Sequence, residues 1–293
     1  MPLPTSLFCA TQIFQSWCAL RRAGLLLRAR VAAPPQSADE EHFAKVSRVP
    51  GFDEAATLAE LFDISTARYS SKAMLGTRPV LATATAEKPD HGDGSHVKHE
   101  LGPYAWMSYD SAAMQAAAFG AGLRALGIQP RSVVALFADT SAHWFLAAHA
   151  CFREGFTVAT VYTSLGAAGV RHALEACGAA SIITDAAGAR LISATDAAKK
   201  AARVVLLPPR GSDTAADAVA ADAAAARAVL PADTLSHTWH EVMDAATRAE
   251  EAQRRKPEPA DVALIMFTSG RRDSNSAGAA AACFQAAQSY SIA

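Results

Sequence analysis

Ser132 to Tyr162 reads SVVALFADTSAHWFLAAHACFREGFTVATVY, and the two ends of this stretch decide the fold. SVVALFA (Ser132 to Ala138) and TVATVY (Thr157 to Tyr162) are apolar runs of strand length, rich in β-branched residues and without polar alternation. A strand apolar on both faces has to be covered on both faces, which is the situation of a parallel sheet. Between the two runs, Thr140 or Ser141 supplies a helix cap, and the segment through Glu154 has the length of a helix. Cys151 lies in the apolar run of that helix beside Ala148, Ala150 and Phe152, where it reads as a small buried hydrophobe rather than a nucleophile. His143, Trp144 and His149 on the same helix read as satisfied core or interface residues rather than catalysts.

The alternation continues outward in both directions. Toward the C-terminus come a helix at Gly169 to Cys177, the strand SIIT (Ser181 to Thr184), a helix at Ala187 to Lys200 and the strand RVVLL (Arg203 to Leu207). Toward the N-terminus, Ser108 to Leu126 is an alanine-rich helix ending at Gly127, where a left-handed cap is expected. Thr57 to Tyr69 is a further helix behind a Thr57 cap. The class is therefore α/β, a mostly parallel sheet flanked by helices.

Three stretches carry weaker patterns. Arg78 to Leu101 reads as a short strand at Pro79 to Ala82, followed by an exposed loop or hairpin. Its His91, Asp93, His96 and His99 lack the rigid spacing of a zinc site, so a solvated loop is the better account. Pro208 to Asp233 is poor in large hydrophobes and is expected to be a linker or surface loop. Thr238 to Arg255 is helical until Pro257 and Pro259, and Asp261 to Phe267 is an apolar strand running into Thr268-Ser269-Gly270.

The composition excludes some partners. With 293 residues, 51% of them hydrophobic, the chain is long enough to bury a substantial core. Its 27 Lys and Arg against 28 Asp and Glu leave a formal net charge of -1, so there is no basic field for nucleic acid. Cys9, Cys18, Cys151, Cys177 and Cys283 are scattered with no C-x-x-C pair, the pattern of free thiols in a reducing compartment. No Asp or Glu precedes Asp39, while Arg21, Arg22, Arg28 and Arg30 alternate with Leu, Phe and Trp. That is the composition of a transit peptide or an interfacial amphipathic helix. Gln12, Gln15 and Arg21-Arg22 interrupt it before the roughly 18 to 20 apolar residues of a bilayer span are reached.

A strand leading into Thr-Ser-Gly is a sensible start for a phosphate loop, because small residues let backbone N–H groups and hydroxyls approach phosphate oxygens. Alone it is an ordinary turn signal. The ordered set TLAELFDIS (57–65), MLGTRPV (74–80), LGPYAWMSY (101–109), FGAGLRALGI (119–128), VVALFADTSAHWFLAAHACFREGFTVATVYTSLG (133–166), ALEACGAASIITD (173–185) and DVALIMFTSG (261–270) changes its weight. Together these segments closely resemble the long-chain acyl-CoA synthetases of the AMP-binding, adenylate-forming superfamily, especially the plant and algal type. The resemblance implies an incomplete N-terminal domain of the adenylate-forming fold. For the complete enzyme it implies activation of a long-chain fatty acid with Mg2+ and ATP to an acyl-adenylate, then transfer to coenzyme A. Thr268, Ser269 and Gly270 would be the remnant of the ATP-phosphate loop.

In the family that loop reads T-S-G-S/T-T-G-x-P-K-G. Here Asp273 occupies the slot of the second glycine and Ser276 the slot of the lysine. A carboxylate then faces phosphate with no lysine to balance it. Arg271 and Arg272 read as solvated residues rather than replacement ligands. No catalytic or metal-binding residue is assigned, and no cofactor is expected to bind productively. The segments expected are a poorly ordered leader at 1–50, a partial AMP-binding domain at 51–270 and an alanine-rich tail unrelated to the family at 271–293. Later family motifs, including the metal-binding glutamate, are absent from the sequence, so the chain is expected to be a truncated, inactive product. The alternative is a non-catalytic fragment that pairs with and regulates a full-length synthetase. The leader implies peripheral association with an organelle membrane, or a plastid or mitochondrial address.

Gly120-Ala121-Gly122-Leu123-Arg124-Ala125 fits the dinucleotide fingerprint G-x-G-x-x-A. A working fingerprint follows a strand and opens a helix, whereas this one lies late in a helix. Its glycines are expected to serve close helix packing.

Overall fold

The computed structural model describes residues 55–87, 95–195, 200–209, 211, 216–248 and 254–267. The leader and tail expected at 1–50 and 271–293 lie outside the described residues.

Helix α1 (Leu58–Arg68) is the first element of the described residues. Thr57 and Glu60 form a reciprocal cap, the Glu60 N–H donating to Thr57 Oγ1 at 3.1 Å and the Thr57 N–H to Glu60 Oε2 at 3.2 Å. Thr57→Ala removes the hydroxyl half of this box, and a fall in stability of about 1 kcal/mol is expected in urea titration. Two antiparallel pairs follow: β1 (Ala73–Thr77) with β4 (Ala105–Ser108), and β2 (Val80–Glu87) with β3 (Ser95–Leu101). The short strand expected at Pro79 to Ala82 is thus the start of a full hairpin, in which His99 Nδ1 lies 3.1 Å from Thr83 Oγ1. His96 also lies on β3, while His91 and Asp93 fall outside the described residues.

Helix α2 (Tyr109–Ala125) is capped by Ser108, and Gly127 behind it has φ 89°, the left-handed conformation expected there. The alternating part then runs β5 (Val133–Phe137), α3 (Ala142–Arg153), β6 (Thr157–Thr160), α4 (Ala167–Cys177), β7 (Ser181–Thr184), α5 (Ala186–Ser193), β8 (Arg203–Leu206), α6 (Ala216–Val229), β9 (Ser236–Thr238), α7 (Trp239–Ala245), a 3-10 turn (Ala246–Arg248) and β10 (Leu264–Met266). Six strands form one sheet in the order β10-β6-β5-β7-β8-β9, and every pair is parallel.

Two apolar clusters cover the sheet. Val134, Leu136, Val158, Ile183 and Val205 meet helices α2, α3 and α7 on one face, and Ala135, Phe137, Ile182, Val204 and Leu206 meet α4, α5 and α6 on the other. Successive strand residues go to opposite faces, so each strand is apolar throughout, as the runs in the sequence require. On the first face Trp239 stacks on Phe119 at 4.0 Å between ring centroids. Gly122 of the G-x-G-x-x-A stretch lies so close to α7 that a Cβ there would stand 1.9 Å from the Val242 carbonyl oxygen. A Cβ at Gly120 would stand 2.8 Å from Glu154 Cγ. Both glycines serve helix packing, inside α2 and away from any strand end.

Four expectations need correction. The Pro208 to Asp233 loop contains α6, because alanine has the highest helix propensity and Ala226 and Leu230 together suffice to dock it on the second cluster. The helix expected at Ala187 to Lys200 ends at Ser193, and Thr195 turns back to bond the Ile192 carbonyl through both its N–H and its hydroxyl. The helix starting at Thr238 leaves α-geometry after Ala245, continuing only as the 3-10 turn before residues outside the description. The strand expected at Asp261 to Phe267 narrows to Leu264–Met266, since Asp261 is held in a turn by the Glu258 N–H at 2.9 Å.

Candidate functional site

Chain order turns around at β5. Its crossover α3 leads to β6 on one side and covers one face, whereas α4 leads from β6 back over β5 to β7 and covers the other. The two crossovers part at the carboxyl ends of the strands, where an open parallel sheet leaves a crevice. This rim is the candidate site.

Polar residues begin where the apolar strands stop. Beyond β5 stand Asp139 and Thr140, both exposed; beyond β6, exposed Tyr162 and Thr163; beyond β7, Asp185. Thr163 Oγ1 donates to Asp139 Oδ1 at 3.0 Å, and the Asp139 N–H donates to Asp185 Oδ2 at 3.2 Å. The other oxygen of Asp185 accepts the Gly188 N–H at 2.8 Å and caps α5. Beneath them the buried Thr184 hydroxyl donates to the Phe137 carbonyl at 2.6 Å. Three loops are thereby fixed to one another at the rim. Thr163, Asp139 and Asp185 were not assigned from sequence; the signal available was a polar residue directly behind each buried strand.

β10 runs toward the same rim. Met266 pairs in register with Thr160 of β6, so the chain beyond Met266 leaves the sheet beside Tyr162 and Thr163. Phe267 packs against the second cluster. Thr268, Ser269 and Gly270 lie outside the described residues, and the structure gives only the strand that leads to them. The approach to β10 is firmly anchored. Arg131 Nε donates to Asp261 Oδ1 at 2.8 Å, Arg255 reaches Asp261 at 3.1 Å, and Thr157 Oγ1 donates to the Val262 carbonyl at 2.7 Å.

Below the sheet's first face two buried groups stand out. Arg124 of α2 and Glu154 at the end of α3 form an ion pair with side chains only 9% and 2% exposed. His149 is in the core, as expected, but neither ring nitrogen has a hydrogen-bond partner, and burial lowers its pKa to about 3. Burial also pushes the Cys151 thiol far above its ordinary range, with Glu154 adding to the effect, so it is not a nucleophile. Among the described residues no group of three or more His, Cys, Asp or Glu is arranged to hold a metal ion, and no helix is long and apolar enough to cross a membrane.

Residues 83–270 match the family model described as AMP-binding enzyme, and the chain belongs to that family. Its relatives include long-chain acyl-CoA synthetases of the type expected from sequence. It is 31% identical over 221 residues to long chain acyl-CoA synthetase 8 of Arabidopsis thaliana, an alignment taking in 75% of this chain and 29% of that protein. It is 30% identical over 142 residues to long-chain-fatty-acid–CoA ligase 2 of Schizosaccharomyces pombe, covering 45% of this chain and 21% of the ligase. The chain thus spans less than a third of the length of these relatives. The fold is similar to the A domain of carboxylic acid reductase from Segniliparus rugosus, solved with AMP and a co-purified carboxylic acid, at a TM-score of 0.58 and 17% identity over 73% of this chain and 34% of that one. The adenylation domain of a carboxylate reductase from Mycobacterium chelonae gives 0.55 at 18% identity, over 92% of this chain and 39% of that one.

Proposed function

We propose that residues 51–270 form the first part of a domain that activates long-chain fatty acids to acyl-CoA through an acyl-adenylate, using ATP, Mg2+ and coenzyme A. The observation that carries this is β10: it lies parallel to β6 and runs toward the carboxyl rim, within the stretch that matches the AMP-binding family, and Thr268-Ser269-Gly270 follow it in the sequence. Small residues leaving a strand end at such a rim suit the approach of phosphate oxygens to backbone N–H groups. The sequence that follows does not suit them. Asp273 and Ser276 stand where the family pattern has glycine and lysine, so a negative charge is added and a positive one is lost beside the phosphates.

The chain as it stands is therefore inactive in this account. Purified chain supplied with ATP, Mg2+ and palmitate is expected to release no pyrophosphate above background and to form no palmitoyl-adenylate. Adenylate formation at a rate comparable to that of the Arabidopsis relative would refute the assignment of inactivity.

A second role is supported by the edge position of β10, whose outer side has no partner strand among the described residues. Such an edge is a template for another chain, so pairing with a full-length synthetase is the alternative function. Co-expression and size-exclusion chromatography test it; separate elution with unchanged ligase activity removes it. The arginine-bearing leader supports peripheral attachment to an organelle membrane. Residues 1–50 fused to a fluorescent protein are expected to label such a membrane or its organelle, and diffuse fluorescence would count against both.

A further inference from the structure

His149 sits at the contact between α1 and α3 and is sealed there by aromatic rings. The Phe62 ring of α1 stacks on it at 4.1 Å between centroids, with Phe145 at 4.3 Å and Phe152 at 5.7 Å on its own helix. The side chain is buried, and both ring nitrogens lack a hydrogen-bond partner. An imidazole in such a place stays neutral, because charging it would put an unsolvated cation among hydrocarbon. Among the described residues helix α1 covers the imidazole through Phe62, and it rests on α2 and α3.

We propose that α1 is an acid-released latch: proton uptake by His149 uncouples α1 from α3 while the six-stranded sheet stays folded. The titratable groups on the surrounding elements do not take over the charge. On α1 these are Glu60, Asp63 and Arg68; on α2, Tyr109, Asp110 and Arg124; on α3, His143, Cys151 and Arg153, with Glu154 at its end; β1 has none. The His143 ring lies edge-on to Trp239 of α7. Glu60 closes the Thr57 cap, Asp63 pairs with Arg153 at 2.6 Å on the outer rim, and Arg124 pairs with Glu154. None of them reaches either ring nitrogen.

The sign follows from which state takes the proton. His149 titrates at about 3 when docked and at its ordinary 6.5 once exposed. Above pH 6.5 both states are neutral and the latch is indifferent to pH. As pH falls below 6.5 only the undocked state binds the proton, so docking is progressively lost, the effect saturating below about pH 3. Between pH 7.5 and 5 the undocking equilibrium is expected to rise about 30-fold.

Hydrogen–deuterium exchange on the full chain, corrected for the intrinsic pH dependence of exchange, tests the proposal. Peptides covering 57–69 are expected to gain about 30-fold in opening between pH 7.5 and 5, while peptides of β5 and β7 keep their protection. In His149→Phe, which keeps an aromatic ring under Phe62, the rise should vanish. An equal rise in His149→Phe, or loss of sheet and α1 protection at the same pH, overturns the latch. If that variant fails to fold, an NMR titration of the His149 ring in the unaltered chain decides: protonation near the ordinary histidine value while α1 remains protected also overturns it.

Discussion

Glu154→Ala is expected to destabilise the fold by about 3–5 kcal/mol, measured as the fall in unfolding free energy by urea titration. The carboxylate lies at the end of α3, with its side chain 2% exposed against the Arg124 guanidinium at 9%. Removing it takes the Glu154 counter-charge away from a buried cation in an alanine- and leucine-lined contact between α2 and α3. The cost belongs to the stranded charge more than to the bond. The double variant Arg124→Met, Glu154→Leu is accordingly expected to recover most of the loss, because well-packed apolar groups of similar volume often match a buried ion pair. A double variant as unstable as Glu154→Ala would show that the pair itself holds the two helices together.

Gly122→Ala is expected to cost about 3 kcal/mol, a large effect for one methyl group. The added Cβ would lie 1.9 Å from the Val242 carbonyl oxygen and 2.7 Å from its carbonyl carbon, both backbone atoms of α7 that no rotamer change moves aside. Helix α7 has to shift away, opening the Trp239–Phe119 stack and the packing of buried Val242 against the sheet. Gly166→Ala is the matching control. A Cβ there meets nothing within 4 Å, and at a helix cap the exchange is expected to cost well under about 1 kcal/mol. Equal losses at the two positions would mean that the close approach of α2 and α7 is not what glycine serves.

These two positions also mark how far the sequence reached. The buried parallel strands were legible because Val133–Phe137, Thr157–Thr160, Ser181–Thr184 and Arg203–Leu206 are apolar on both faces, a pattern that few other environments accept. Gly120 and Gly122 were legible as packing residues because no strand preceded them, although their partners Glu154 and Val242 were not. Helix α6 was hidden by its alanines, which offer strong helix propensity but little apolar area to form a visible stripe. β1, β4 and β9 are short strands whose pairing is set by long-range register rather than by local pattern.

The rim was only half legible. Thr268-Ser269-Gly270 stood out as a motif, and β10 points the chain toward the rim, but those three residues lie outside the described structure. The bonds linking Thr163, Asp139 and Asp185 join loops 24 and 46 residues apart, a relation that exists only once the sheet has assembled. His149 was legible as a core residue and not as an unsatisfied one, since satisfaction depends on what Phe62, Phe145 and Phe152 leave no room for.

A chimera tests the central claim most directly. Residues 51–270 of this chain are joined to the remaining sequence of the Arabidopsis synthetase, once through the family loop S/T-T-G-x-P-K-G and once through Arg271 to Ala277, and palmitoyl-adenylate formation is measured. Activity with the family loop and none with Arg271 to Ala277 is the predicted result: the folded part is a sound first portion of the activating domain, and the loop is what fails. Equal activity of the two chimeras would contradict the role given to Asp273 and Ser276, and inactivity of both, in soluble and folded protein, would contradict the assignment of residues 51–270 to that domain.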